Sequence, residues 1–598
     1  MCGIVGYIGY EDVKEILLGG LERLEYRGYD SSGIGILNDQ GQVSVFKDLG
    51  RVSQLRTIVD YEEKASIGIG HTRWSTHGEP SKNNAHPHQS KNGRFTIVHN
   101  GVIENEDILR ENYFASFKFI SETDSEIIVE LINYFYELYN DVELAIRHLM
   151  NHLNGSYALG IIDSQQPDKL YVVKNKSPLL IGLGEGFNMI GSDAMAMITK
   201  TNKFYELNDQ EYAILTRDSI SIFEITGAKV TRDYFITNLD KDQVNKGTYP
   251  HYMLKEIDEQ AVVIRRIIDK YSDKRHERFI MDQNIIDAIK DSDRIYIIAA
   301  GTSYNAGLVG KQLFEKIANK PVDVCVASEF VYNQPVLSQK PLFIFISQSG
   351  ETADSRAVLV NVNKLGYPSL AVTNVENSTL YREATYNLLL HAGPEIAVAS
   401  TKAYTAQIAV LAICAYLTVD VKEFDLIHEL SLAANVIESI CDQKEILKEL
   451  ASCFLRDTRN CFYIGRHVDY AVAMEASLKL KEISYIQTEG FAAGELKHGT
   501  IALIEKDTPV IAIISQEEIN LNTRSNVKEV KTRGANTLVI SLKSISSESD
   551  GFVIDDVHKL LTPLVTVVPT QILAYYAALE RGLDIDKPRN LAKSVTVE

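Results

Sequence analysis

The chain is poor in cysteine and has no C-x-x-C pair: its six cysteines, among 598 residues, stand at positions 2, 325, 414, 441, 453 and 461. That is too sparse for a disulfide framework and suits a reducing compartment, so a cytoplasmic location is expected. No basic-then-apolar leader opens the sequence. The longest apolar stretch, around Ile408 to Leu417, is too short to span a bilayer. Positive charge is also in deficit: the net charge is −19, which argues against general nucleic-acid binding. A small phosphorylated substrate remains compatible, because a local donor cluster works inside an acidic whole. The histidine-rich stretch 71–88 has no paired Cys and no helical H-x-x-x-H, so H-P-H at 86–88 carries little weight as a metal site. No metal and no cofactor are expected.

What is present starts at the second residue. In "MCGIVGYI", removal of Met1 would leave Cys2 carrying both a thiol and an α-amine, whose ordinary pKa is ~7.7–8.0. That combination is a nucleophile and a base in one residue. The alternative is a small buried hydrophobe. Residues 11–33 read as an amphipathic helix ended by glycine. Short strands are predicted at 42–46, 66–74, 95–101, 156–163 and 169–175. A second long helix over 123–139 begins with a capping box, Thr123 to Glu126. The first ~240 residues therefore form an α+β layered domain.

After a charged helical connector over 241–284, the pattern becomes regular β-turn-α alternation. It recurs: "PLFIFISQ" (341–348) matches "PVIAIISQ" (509–516), and "RIYIIA" (294–299) matches "NCFYIG" (460–465). Offsets of 168 and 166 indicate a duplicated, doubly wound parallel α/β domain. The expected boundaries are 285–425 and 456–586, with a helical connector at 426–455 and a tail at 587–598. The copies differ at one turn, "SQSGET" (347–352) against "SQEEIN" (515–520).

In the first copy, Ser347, Ser349 and Thr352 stand between an apolar strand and a helix start. Hydroxyls and backbone N–H groups there favour a phosphate, and "GTS" (301–303) supplies the neighbouring turn. Glu475, Lys479 and Glu482 fall at i, i+4 and i+7 of a helix. Spacing alone favours a solvated ladder over an acid–base row. His498 is a lone histidine. In the tail, Leu591, Val595 and Val597 alternate as a half-buried strand would, with Lys593 pointing oppositely to Ala592 and Ser594. A desolvated lysine forms a Schiff base with a carbonyl. Arg27, Arg73 and Asp124 suit a zwitterion. Asn100 and Gly101 follow a strand and suit an oxyanion hole or an ordinary hairpin turn.

These motifs resemble a known family. "CGIVGYIG", "LEYRGYDSSG", "HTRWSTHGEPS", "NAHPH", "HNGVIEN" and "SETDSE" are similar to the N-terminal-nucleophile glutaminase domain of class II amidotransferases. "GTSYNAG", "ISQSGETADS", "VASTKAYTAQ", "LKLKEISYIQTEGFAAGELKHG" and "PRNLAKSVTVE" resemble paired sugar-isomerase (SIS) domains. In this order they resemble the isomerising glutamine–fructose-6-phosphate aminotransferases over essentially the whole chain.

The resemblance implies a four-layer αββα nucleophile-hydrolase domain followed by two α/β SIS domains. It implies that Cys2 attacks glutamine, with its own α-amine as base and Asn100 and Gly101 as oxyanion hole. Arg73 holds the glutamine carboxylate and Asp124 its ammonium. Arg27, His77, Gly78 and His86 order the site. Ammonia passes through a channel gated by Trp74. Ser347, Gln348, Ser349 and Thr352 hold the phosphate of fructose 6-phosphate, and Thr302, Ser303, Val398 and Ser400 contact its sugar. His498 opens the ring from the other subunit of a homodimer. Lys593 forms the Schiff base, and Glu482 moves the proton with Lys479, supported by Glu475. Thr500 and Ala261 stand where the family commonly has proline, and neither touches the chemistry. An amidotransferase acting on phosphoribosyl pyrophosphate would lack "SQSGET" and the C-terminal lysine. A non-catalytic sugar-phosphate sensor would not need Cys2, Glu482 or Lys593.

Overall fold

A computed structural model describes residues 2–38, 40–74, 78–237, 246–273, 275 and 277–596. The chain divides into two compact units, Met1–Gln243 with Ser594–Glu598, and Val244–Lys593.

In the first unit, alternation along the strands builds four layers. Strand Gly3–Ile8 pairs antiparallel with Ala65–Arg73 and Asn188–Gly191 inside an eight-stranded sheet. Val5 and Tyr7 face helix Val13–Leu24 and pack on its Val13, Leu17 and Leu21. Ile4 and Ile8 face the other way and meet Val98, Ala158 and Ile162 of a seven-stranded sheet. The far face of that second sheet, with Ile97, Leu159 and Ile161, packs on helices Asp124–Tyr139 and Val142–His152. The order is helix, sheet, sheet, helices, because each strand is apolar on both faces. The helix read over 11–33 spans Val13–Leu24 with a 3-10 turn at Glu25–Arg27, and Ser31–Asn38 is already a strand. The capping box does not form. Thr123 is the N-cap but makes no capping hydrogen bond, and Glu126 instead accepts from the backbone N–H groups of Ile120 and Ser121.

The second unit holds two five-stranded, wholly parallel sheets. Strands Arg294–Ala299, Val322–Val326, Pro341–Ser347, Ser369–Thr373 and Tyr386–Leu389 lie in the spatial order 2-1-3-4-5, counted along the chain. Strands Asn460–Gly465, Gln487–Ala492, Pro509–Ile514, Asn536–Leu542 and Phe552–Ile554 repeat that order. The segments read as connectors are helices Tyr252–Asp258, Gln260–Tyr271, Leu426–Asp442 and Lys444–Leu455. They contribute buried residues to one core shared by both sheets. Helix Thr562–Glu580 runs through that core. It is the one described helix long and apolar enough to cross a membrane, longer than the stretch singled out in the sequence, and 94% of its apolar window is buried among protein neighbours. Burial accounts for its composition.

The tail is not a strand. Among the described residues, 591–596 carry no strand assignment, and Val595 is 55% exposed. Val597 lies outside the described residues. Lys593 is the side chain that turns inward, 3% exposed.

Candidate active sites

Cys2 immediately precedes the central strand Gly3–Ile8. The pairing of Gly3 with Thr72 carries it to the end of the neighbouring strand. There Trp74 N–H donates to the Cys2 sulfur at 3.3 Å, and the thiol faces the Trp74 carbonyl at 3.5 Å. Burial pushes the thiol pKa up, so Cys2 needs a base to become a nucleophile. From the second sheet, strand Phe95–Ile103 brings Asn100, whose Nδ2 donates to the Cys2 carbonyl at 3.1 Å. Gly101 has φ +138°, and a Cβ there would lie 1.9 Å from the Ser156 carbonyl oxygen, so only glycine fits.

Arg73 and Asp124 both lie near enough to act on the charge of Cys2. Arg73 is buried, donates to the Gly78 carbonyl at 3.2 Å, and loses some basicity to burial. Asp124 accepts the Ile103 N–H at 2.9 Å. Arg27 is engaged with Asp193 at 2.8 Å and with the Tyr26 hydroxyl. His77 lies outside the described residues. His86 is buried in a group with His71, His88 and His99: its ring stacks on His71 at 4.0 Å and meets His88 edge-on at 4.6 Å. Desolvation holds His71, His86 and His88 below the ordinary histidine range, His71 at about 3. No three His, Cys, Asp or Glu side chains among the described residues are placed to hold a metal.

In the second unit, strand Pro341–Ser347 ends in the hydroxyl turn that precedes helix Ala353–Lys364. Ser347 Oγ accepts the Gly350 N–H at 3.0 Å and lies 3.0 Å from Thr352 Oγ1. Ser349 Oγ accepts the Glu351 N–H at 3.2 Å. Gln348 and Ser349 are partly exposed. Gly350, at φ +68°, leaves no room for a Cβ beside Ser378. The hydroxyls thus shape the turn and still have O–H groups to offer an anion.

The Glu475–Lys479–Glu482 row is not a solvated ladder. Glu475 and Lys479 are buried. Lys479 Nζ donates to Glu482 at 2.6 Å and to Thr302 Oγ1 at 2.9 Å, and lies 3.5 Å from Glu475. Glu475 also accepts from Thr302 and Asn305, and burial raises its carboxyl to about 7. Ser303 receives a hydrogen bond from Gln407 at 2.9 Å.

Lys593 is held by a residue the sequence did not suggest. Its Nζ donates to Glu395 at 2.6 Å and to the Ala397 carbonyl at 2.9 Å. Glu395 also accepts from Ser400 Oγ, Thr401 N and Ala403 N. Burial opposes its ionisation, but Lys593 and these donors hold the carboxyl low. A second missed acid, Glu256, accepts from Ile396 N and Ala397 N, and burial raises it to about 8. Val398 lies beside them and donates its N–H to the Asp586 carbonyl. His498 is exposed on the turn Glu495–His498 and joins none of these groups.

The turn of the second sheet is filled from within. Ser515, the counterpart of Ser347, donates its N–H and its hydroxyl to the buried Asp469. An acidic side chain of the chain itself thus takes both Ser515 donors.

Comparison with known proteins accords with this division. Residues 288–416 and 454–581 match the SIS domain model, and 71–199 match a glutamine amidotransferase domain model. The chain is 62% identical over 602 residues to a protein of Geobacillus kaustophilus named glutamine–fructose-6-phosphate aminotransferase (isomerizing), covering 100% of both chains. It is 60% identical, with the same coverage, to a protein of that name in Oceanobacillus iheyensis. Among solved structures, the C-terminal domain of glucosamine-fructose-6-phosphate aminotransferase from Francisella tularensis matches at TM-score 0.55 and 35% identity. It covers 57% of this chain and 100% of its own.

Proposed function

The chain belongs to the isomerizing glutamine–fructose-6-phosphate aminotransferase family, and on that premise we propose that it hydrolyses glutamine in its first unit and uses the ammonia to make glucosamine 6-phosphate from fructose 6-phosphate in its second. Once Met1 is removed, the Cys2 α-amine takes the thiol proton and the sulfur adds to the glutamine side-chain amide. Asn100 Nδ2 and the Gly101 N–H receive the developing oxyanion. Ammonia leaves, and water releases glutamate from the thioester. Arg73 takes the substrate carboxylate as a planar fork and Asp124 its ammonium, in a site ordered by Arg27, His77, Gly78 and His86. Trp74, in contact with the sulfur, gates the exit of ammonia.

In the second unit the Ser347–Gln348–Ser349–Thr352 turn binds the phosphate, and Thr302, Ser303, Val398 and Ser400 line the sugar. Lys593, as the free amine, adds to C2 of the open-chain ketose and loses water to give the imine. Ammonia then displaces the lysine. Glu482 moves a proton between C1 and C2, assisted by Lys479, and Glu475 supports that network. His498, exposed in the single chain, opens the ring of a sugar bound to the partner in a homodimer. The enzyme works in the cytoplasm.

The observation that carries this reading is the burial of Lys593 against Glu395 in the same unit as the hydroxyl turn. Incubation with glutamine and fructose 6-phosphate should yield glutamate and glucosamine 6-phosphate together. Glutamate without amino sugar would overturn it.

A further inference from the structure

His71 takes no part in the chemistry above, yet it touches Asn100. It lies on strand Ala65–Arg73, is fully buried, and its Nε2 stands 2.9 Å from the His99 carbonyl and 3.1 Å from Asn100 Oδ1. A carbonyl oxygen only accepts, so Nε2 carries the proton. His71 Nδ1 has no hydrogen-bond partner among the described residues, as suits the unprotonated nitrogen of that tautomer. The Asn100 atom facing Nε2 must then be its oxygen, which turns Nδ2 towards Cys2, where it meets the Cys2 carbonyl at 3.1 Å. A carboxamide reversed end for end would set an N–H against an N–H and present an acceptor to the developing oxyanion.

The ring is itself fixed. It stacks on His86, whose Nδ1 accepts the His99 N–H and whose Nε2 faces Ser125 Oγ at 3.3 Å. Ser125 Oγ in turn stands 3.4 Å from Asp124 Oδ1 and 2.9 Å from His99 Nδ1. Two strands and one helix terminus thus hold His71 in a single orientation, and burial keeps it neutral.

We propose that His71 is a positioning residue for glutamine hydrolysis: its Nε2–H locks the Asn100 carboxamide with Nδ2 aimed at the oxyanion position. The proposal rests on Asn100 being an oxyanion donor. A donor aimed only part of the time stabilises the transition state less and leaves substrate binding unaltered, so kcat should fall and KM should hold.

The test is steady-state glutaminase kinetics on the full chain with His71→Phe, His71→Gln, Asn100→Ala, and Asn100→Ala with His71→Phe. Removing one oxyanion donor costs about 10²–10³ in kcat, so losing its alignment should cost about 10- to 100-fold, with glutamine KM within about twofold. His71→Gln places an amide N–H near the lost Nε2 and should recover part of the rate. On the Asn100→Ala background, His71→Phe should cost almost nothing further, because the group it orients is gone. A full multiplicative loss on that background, or wild-type kcat in His71→Phe, would overturn the proposal. Wild-type kcat in Asn100→Ala would instead sink the oxyanion assignment beneath it. The thermal transition of Trp74 fluorescence, in the same unit as His71, reports whether each variant is folded.

Discussion

Glu395→Gln removes the charge that faces Lys593 while keeping the side-chain volume. In the folded chain Lys593 is 3% exposed and Glu395 fully buried, 2.6 Å apart. Deleting one partner of such a pair leaves the other uncompensated, at a cost of about 3–5 kcal/mol. The unit that contains them, Val244–Lys593, has about 350 residues. At about 2.1 cal/mol/K per residue its unfolding entropy is roughly 0.7 kcal/mol/K, so the midpoint should drop by about 4–7 °C. Scanning calorimetry reads that drop. The single tryptophan, Trp74, lies in the other unit, so its fluorescence should keep its own transition temperature. Replacing both partners, Glu395→Gln with Lys593→Met, leaves no stranded charge and should regain at least half of the loss. If instead the two single losses add, Lys593 and Glu395 are not coupled and the reasoning fails. The pair also fixes a pH window. The Glu395 carboxyl is held below its unfolded value of 4.5 against the pull of burial, so its contribution is complete above that pH and is lost as pH falls towards about 2.

Cys2→Ala should abolish release of glutamate from glutamine while sugar isomerisation persists, and glutamate formed at the wild-type rate would refute the nucleophile. Ser347→Ala with Ser349→Ala removes two donors to a phosphate, each worth about 1.5–3 kcal/mol; the helix N–H groups remain, so fructose 6-phosphate KM should rise at least about tenfold, and an unchanged KM would dismiss the turn. Lys593→Arg keeps the charge without a stable imine; it should hydrolyse glutamine, make no glucosamine 6-phosphate, and take up no sugar mass on borohydride treatment. An adduct mapped to another lysine would reassign the Schiff base. Gly101→Ala forces a Cβ to 1.9 Å from the Ser156 carbonyl and should lose soluble, glutaminase-active protein, whereas wild-type activity would show that the strand yields.

Several strands of the parallel sheets were legible, without their spatial order, because buried parallel strands read as unbroken apolar runs, as in "PLFIFIS" and "PVIAII". The hydroxyl turn was legible because it interrupts such a run abruptly. Glu395 and Glu256 were not. Each is a single acid without a periodic partner, and its ligands are backbone N–H groups that any sequence supplies. Glu475 and Lys479 have the same spacing whether solvated or buried. Only the packing of helix Val468–Ser484 against its neighbours decides, and those neighbours lie more than 150 residues away. The tail failed in the opposite way. Alternation promised burial for Val595, and an ion pair buried Lys593 instead. His71 was visible only as one of four histidines, because its role depends on which nitrogen bears a proton.

Two sheets with one wiring pattern stand in a single chain, but their corresponding positions have parted company. Glu475 and Lys479 of helix Val468–Ser484 reach Thr302 of helix Gly301–Ile317. The reverse contact does not exist, since Val309 and Leu313, 166 positions earlier, are plain core residues. In an assembly of two identical chains every substitution appears twice, so an acid gained on one side is gained on the other. Joining the copies breaks that rule. One half could keep an open turn for an anion while the other closed its own with Asp469 and lent its helix to its sibling. The asymmetry is heritable only because a peptide chain ties the halves together. Neither half, expressed as a symmetric pair with itself, would rebuild the arrangement.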